Sequence, residues 1–298
     1  MFKKAERKQV RARIALVGPP GAGKTYTALR TLKHMGCTKI AVIDTERGSA
    51  SKYAGDPELP PFDVCELETF SPTNYVKAIK AAGEAGYDGL IIDSASHAWN
   101  GDGGILDTVS KSGKNGFEGW AKVKPLEHEW VDAVLTFPGH LVATYRTKNE
   151  YSETENDKGK KSRQKVGLAP ITREGMEYEF DIVGYLDDQN VLHIDKTRCP
   201  ALTDQHFRKP GEQFAAIVKT WCEDGAAFDV AACVAVARTC NTMQALKAWA
   251  DEYRTAVNAQ PPAVKAQIVA ARTEAVARIE AAAAEEQAKN GLQSTEAA

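Results

Sequence analysis

Residues 18–25 read Gly18-Pro19-Pro20-Gly21-Ala22-Gly23-Lys24-Thr25, directly after the apolar run Ile14-Ala-Leu-Val17. Glycines at these positions let a loop wrap with its backbone N–H groups pointing inward, so that they and the following helix N-terminus cradle phosphates. In this pattern the lysine reaches the β- and γ-phosphates and the threonine hydroxyl ligates Mg2+. The chemistry implied is binding of ATP or a related nucleoside triphosphate along Gly18 to Tyr26. A chance glycine-rich turn is the competing reading, and the full octet between a strand and a helix argues against it.

Other residues complete such a site. Asp93 ends the apolar run Gly89-Leu-Ile-Ile-Asp93 and is the natural Walker B carboxylate, sharing the Mg2+ shell with Thr25 through water. The role of Ser94, which follows it, stays open. The run Ala41-Val-Ile-Asp-Thr-Glu46 resembles the strand end of RecA-like ATPases whose glutamate activates water; a carboxylate there accepts or orients the proton of the attacking water. A lone loop glutamate is otherwise a solvated surface acid. Thr144 and Arg146, at the end of His140-Leu-Val-Ala-Thr-Tyr145, stand where RecA-like folds carry a polar sensor, or serve as structural donors. Lys196-Thr-Arg198 resembles the Lys-x-Arg pair that related RecA-fold ATPases aim at a neighbouring subunit's γ-phosphate. Residues two apart on a strand share a face, which suits both that role and two solvated cations.

The elements that must hold these residues alternate. Buried strands are expected at 14–17, 39–44, 62–67, 89–93 and 140–145. Helices are expected from Lys24 to Met35, from Ser71 as N-cap with Pro72 in the first turn to about Ala82, and around Leu126 to Phe137. A late hairpin is expected at 180–186 and 191–195 around Asp187-Asp-Gln-Asn190. This is the pattern of an α/β fold with a mainly parallel sheet and crossover helices. After Trp221 the chain turns Ala-, Glu-, Lys- and Arg-rich at helical spacing, with Leu246, Trp249 and Tyr253 on one face. The division expected is an N-terminal tail 1–10, a RecA-like P-loop domain 11–222, a small helical appendage 223–290 and a disordered tail 291–298.

With 298 residues, 43% hydrophobic, 26% charged and a net charge of −2, the chain has an ordinary globular balance and excludes a generally basic, histone-like surface. Any nucleic-acid contact must be local. The six cysteines, at 37, 65, 199, 222, 233 and 240, form no C-x-x-C pair, which favours reduced buried thiols in a cytoplasmic protein over disulfides or zinc. The basic start has no apolar run behind it and no 18-residue apolar stretch occurs, so neither signal peptide nor membrane span is expected.

Two loops follow the fourth and fifth strands, where RecA proteins bind DNA. The first, 100–117, mixes glycines with Lys111 and Lys114. The second carries Lys158, Lys160, Lys161, Arg163 and Lys165 after the acidic run Glu150, Glu153, Glu155, Asp157. It reads as a single-stranded-DNA contact that orders on binding, or as a solvated mobile loop. His97 and Trp99 are placed to stack on DNA or to pack beneath the first loop.

Together with Ser71-Pro-Thr-Asn-Tyr75, Leu90-Ile-Ile-Asp-Ser-Ala-Ser-His-Ala-Trp99 and Arg173-Glu-Gly-Met-Glu-Tyr-Glu-Phe-Asp181, these motifs make residues 11–205 resemble AAA-type P-loop ATPases of phages and prophages. That group includes the RecA-core members of the Sak-type single-strand annealing proteins. The resemblance implies an oligomeric, Mg2+-dependent ATPase in a bacterial host cytoplasm that binds single-stranded DNA and assists annealing or recombination. It also implies partners such as a single-strand-binding or other recombination protein. The alternatives are an ATPase that loads or regulates a replication protein and, more remotely, a small-molecule kinase.

Overall fold

The computed structural model describes residues 4–112, 116–155, 161–258 and 260–296. The chain divides into two compact units, residues 9–225 and residues 226–296 with 4–8.

In the first unit, β1 (Arg13–Gly18), β2 (Ile40–Asp44) and β4 (Gly89–Asp93) are buried along their whole length. Continuous apolar runs form strands covered on both faces, as parallel sheets require. β3 (Phe62–Glu66) is a more exposed edge strand, while β5 (His140–Glu155), β7 (Ile182–Leu186), β8 (Val191–Thr197) and β9 (His206–Arg208) complete the order β3-β2-β4-β5-β1-β7-β8-β9. All pairs from β3 to β7 are parallel, and the last two are antiparallel. This is a RecA-like P-loop α/β fold with a mainly parallel sheet.

Strand alternation sorts side chains into two cores. Leu16, Val42, Ile91 and Val142 face one side and pack with Ala28, Leu29 and Leu32 of α1 (Lys24–His34) and with Phe214 and Val218 of α6 (Glu212–Glu223). Val17, Ile43, Ile92 and Ala143 face the other, against Tyr75 and Ile79 of α2 (Pro72–Glu84) and Trp130 and Val134 of α5 (Gly116–Thr136). α2 starts as its sequence indicates: the Ser71 hydroxyl accepts from Asn74 N at 3.3 Å, with Pro72 in the first turn. The segment 100–117, expected as a loop, instead contains the end of α3 (Ser96–Asn100) and α4 (Ile105–Lys111), and α5 begins earlier than expected, with Pro125 inside it.

A second correction concerns β5. It does not stop at Tyr145 but runs to Glu155, where its outer half pairs antiparallel with β6 (Lys161–Pro170) in a two-stranded ribbon. The charge of this segment masks its alternation, and its backbone bonds are satisfied by its own return strand rather than by the core sheet. Of the six cysteines, four are buried; Cys37, between α1 and β2, is half-buried, and Cys65 is exposed because β3 has no neighbour on its outer side. No helix among the described residues is long and apolar enough to cross a membrane.

The second unit comprises α7 (Val230–Thr239), α8 (Met243–Asn258) and α9 (Pro262–Glu296). Its core is narrow: Cys233, Ala237, Leu246, Trp249, Ile268, Ala271 and Ala275. Asp229 caps α7 by accepting from Ala232 N at 2.8 Å. α9 continues through the segment expected as a disordered tail, since Ala, Gln and Glu keep helix propensity high on both sides of Gly291.

Candidate nucleotide site

The P-loop joins β1 to α1. Gly23 has φ 81°, a left-handed conformation that only glycine adopts without strain. A Cβ on Gly18 would stand 2.6 Å from the Leu186 carbonyl, so the loop can run this close to β7 only without a side chain there. The Lys24 ammonium donates to Gly18 O and Pro19 O, both at 2.9 Å. Burial holds its pKa below the ordinary lysine value, while the carboxylates of Asp93 and Glu46 act against that shift.

Register assembles the remaining groups. Asp44 pairs with Asp93, Ile92 with Ala143, and Leu16 with Thr144, so Asp44, Asp93 and Thr144 form a row at one level, on the same face of the sheet. The Asp93 carboxylate is 3% exposed. It accepts from Thr25 Oγ1 at 2.5 Å through one oxygen and from Thr144 Oγ1 at 2.6 Å through the other. Burial pushes its pKa up, and the two hydroxyls oppose that by bonding the charged form. The Asp93–Ser94 peptide is cis.

Asp44 is a site residue that sequence reasoning missed. Buried to 1% exposure, it accepts from Glu46 N at 2.5 Å and from Ala50 N at 2.9 Å, and so fixes the turn that presents Glu46. Arg146 closes over that glutamate from the end of β5. Its Nε donates to Glu46 Oε1 at 2.9 Å, and a terminal guanidinium nitrogen lies 2.8 Å from the same oxygen. The two sensor candidates thus divide: Thr144 holds Asp93 and Arg146 holds Glu46. Asn190, also missed, stands at the tip of the β7–β8 turn with its side-chain amide 3.5 Å from Gly21 O. A left-handed Asn in a turn (φ 59°) was the available signal, but nothing local ties that turn to the P-loop.

Other expected residues make contacts within the chain. Tyr26 is half-buried, edge-on to Tyr53 at 5.9 Å. His97 stacks on Phe70 at 4.8 Å and bonds Thr45 Oγ1 at 2.8 Å through Nδ1, and Trp99 lies against Trp120; both make the packing contacts. The Arg173–Asp181 segment anchors the fold, through Arg173 to Glu127 at 2.7 Å and Asp181 to Arg13 N at 3.0 Å.

Lys196 and Arg198 do converge on one place. Both donate to the Tyr178 carbonyl, at 3.3 and 3.1 Å; Lys196 also bonds the Phe180 carbonyl, and Arg198 pairs with Asp181 at 2.9 Å. Thr197 between them registers with Ile182, which registers with Ile14 at the start of β1. They therefore lie level with the start of β1, at the opposite end of the strands from the P-loop, and cannot reach a phosphate bound by their own chain. Lys158 and Lys160 fall outside the described residues. Lys161, Arg163 and Lys165 lie on β6, in register with Glu155, Glu153 and Tyr151.

Among the described residues, no cluster of three His, Cys, Asp or Glu side chains is placed to hold a metal by protein groups alone. The paired Thr25 hydroxyl and Asp93 carboxylate nevertheless fit Mg2+ that takes its other ligands from phosphate and water, the usual habit of this ion.

A family model described as an AAA domain matches residues 11–221. The chain belongs to that AAA-domain family. With the P-loop and the sheet order, membership makes it a nucleotide-binding RecA-like P-loop ATPase. No curated protein matches it. Among solved structures, a crystal structure of the RadB recombinase is similar over 67% of this chain and 88% of its own, with 14% identity and a TM-score of 0.39. At that similarity the roles of residues rest on this chain's geometry.

Proposed function

We propose that this AAA-family ATPase hydrolyses ATP with Glu46 as the base and couples turnover to single-stranded DNA, assisting annealing or recombination in a phage or prophage. The observation that carries the hydrolytic part is the convergence of Lys24, Thr25, Asp93, Thr144 and Glu46 at one end of the four adjacent strands β2, β4, β5 and β1. Water attacks the γ-phosphorus, the bond to the β–γ bridging oxygen breaks, and ADP and phosphate leave. Glu46 takes the water's proton, Lys24 neutralises charge on the phosphoryl oxygens, and the P-loop N–H groups hold the β-phosphate. Asp44 and Arg146 fix the direction of the Glu46 carboxylate. Mg2+, when bound against Thr25 and Asp93, supplies further charge neutralisation on the phosphates. Lys196 and Arg198, remote from their own site, act in trans in an oligomer. On that reading Arg198→Ala lowers turnover about 10³-fold with ATP binding intact, and unchanged turnover removes it from the site.

Support for the DNA end is the ribbon: β5 leads without interruption from Thr144 and Arg146 into the lysine-bearing hairpin. One observation favours a second reading. The register sets Lys161 and Arg163 opposite glutamates, which dilutes a phosphate-binding stripe and suits an ATPase that loads or regulates a replication protein. The test is ATP turnover with and without single-stranded DNA, alongside assembly size with a non-hydrolysable analogue. DNA stimulation with assembly supports the first reading; stimulation only by a protein partner supports the second.

A further inference from the structure

The helical unit carries a groove that the ATPase does not use. It lies between α8 and α9, with a volume near 650 Å³, within the range of pockets that take bulky apolar groups. Leu246 and Trp249 form its floor and are almost fully buried. Met243 and Val269, on its walls, are 50% and 57% exposed, more than a stable helix pair leaves open on a facing stripe. Along α8, Met243, Lys247, Ala250, Arg254 and Val257 recur at helical spacing on the lining, and α9 adds Val269, Arg272 and Val276. Apolar and cationic positions thus alternate on both walls.

The charge of this lining is one-sided. It includes Lys247, Arg254 and Arg272 against one acid, Asp251, which is already paired with Arg254. Neither Lys247 nor Arg272 has an ion pair among the described residues. A nucleic-acid strand suits this surface poorly, because its phosphates need a polar floor and this one is Leu, Trp and Ile. We infer that the groove docks an acidic amphipathic peptide of a partner protein, whose apolar side chains fill the channel while its carboxylates meet Lys247 and Arg272. This is a helix-in-groove mode of recognition with charge setting orientation and selectivity. It holds whichever reading of the ATPase is right.

The test is fluorescence anisotropy with the full chain and two labelled synthetic helical peptides. Both carry leucines on one face; the other face carries glutamates in the first and lysines in the second. Saturable binding of the glutamate peptide, at least about tenfold tighter than the lysine peptide and weakened by salt, is expected. Val269→Asp abolishes that binding and Arg272→Glu weakens it about tenfold. Both side chains are exposed, so thermal unfolding by circular dichroism should be unchanged in each variant. Equal binding of the two peptides, no binding of either, or full binding by Val269→Asp overturns the inference. So does self-association of the chain alone that Val269→Asp removes, which would assign the groove to a second copy.

Discussion

The two units keep their functional groups in opposite ways. In residues 9–225 the central ones are polar and buried, and held by other groups: Asp93 by Thr25 and Thr144, Asp44 by the backbone N–H groups of Glu46 and Ala50. In the helical unit the core is small and apolar, and what stands out is exposed apolar surface beside Lys247 and Arg272, which have no ion pair among the described residues. A buried polar network costs much when one partner is lost, because the other stays desolvated. An apolar groove costs little to alter until something binds. The first arrangement suits chemistry and the second recognition, and substitutions should separate them.

The largest effect is expected at Glu46. Glu46→Gln keeps the shape and hydrogen bonding but removes the base, so single-turnover phosphate release should fall about 10²- to 10⁴-fold while a fluorescent ATP analogue still binds. Retained turnover would dissolve the catalytic side of the comparison.

Acid should act next, through His140. Its Nδ1 accepts from Ala12 N at 3.1 Å inside the fold, and burial, helped by Arg11 and Arg13, depresses its pKa from 6.5 to about 3. The unfolded chain, with an ordinary imidazole, binds a proton that the fold refuses. Stability from this group is therefore present above about pH 6.5 and lost as pH falls toward 3, by about 2 kcal/mol at pH 5. Urea unfolding from pH 7 to 5 should show a falling midpoint that His140→Gln flattens.

Thr144→Val leaves one Asp93 oxygen without its hydroxyl. Stability should drop by about 1–3 kcal/mol. Because that bond favours the ionised carboxylate, its loss should also move the acid limb of the turnover profile to higher pH. An unmoved limb would make Thr144 a packing residue only.

The smallest change belongs to the helical unit. Trp249 Nε1 donates to Cys233 O at 3.1 Å, and Trp249→Phe removes that bond while keeping an aromatic floor. A loss of about 1 kcal/mol in thermal stability, with ATP turnover unaltered, would sharpen the contrast; a large fall in turnover would blur it.

What the sequence made legible was local. The P-loop octet, the Ser71–Pro72 helix start and the strands ending in Asp44 and Asp93 each fit within one short window, where residue type alone dictates conformation. The Glu46–Arg146 pair joins residues 100 apart, and its proximity depends on β2, β4 and β5 lying side by side in a fixed register, which no window contains. Lys196 and Arg198 do share one place, but its position at the far end of the strands from the P-loop follows from β8 being antiparallel. The ribbon escaped notice because strand pairing between charged segments has no hydrophobic alternation to announce it.

β5 carries a consequence of its own. Its even positions Val142, Thr144 and Arg146 serve the nucleotide side, and its odd positions Ala143 and Tyr145 fill the opposite core. Deleting a single residue between Gly139 and Thr144 would exchange the two sets at once, sending the Tyr145 ring to Asp93 and the Thr144 hydroxyl into an apolar layer. Removing two would preserve the faces and merely shorten the reach. The strand tolerates change only in even steps, so insertions and deletions compatible with activity belong beyond Arg146, in the ribbon.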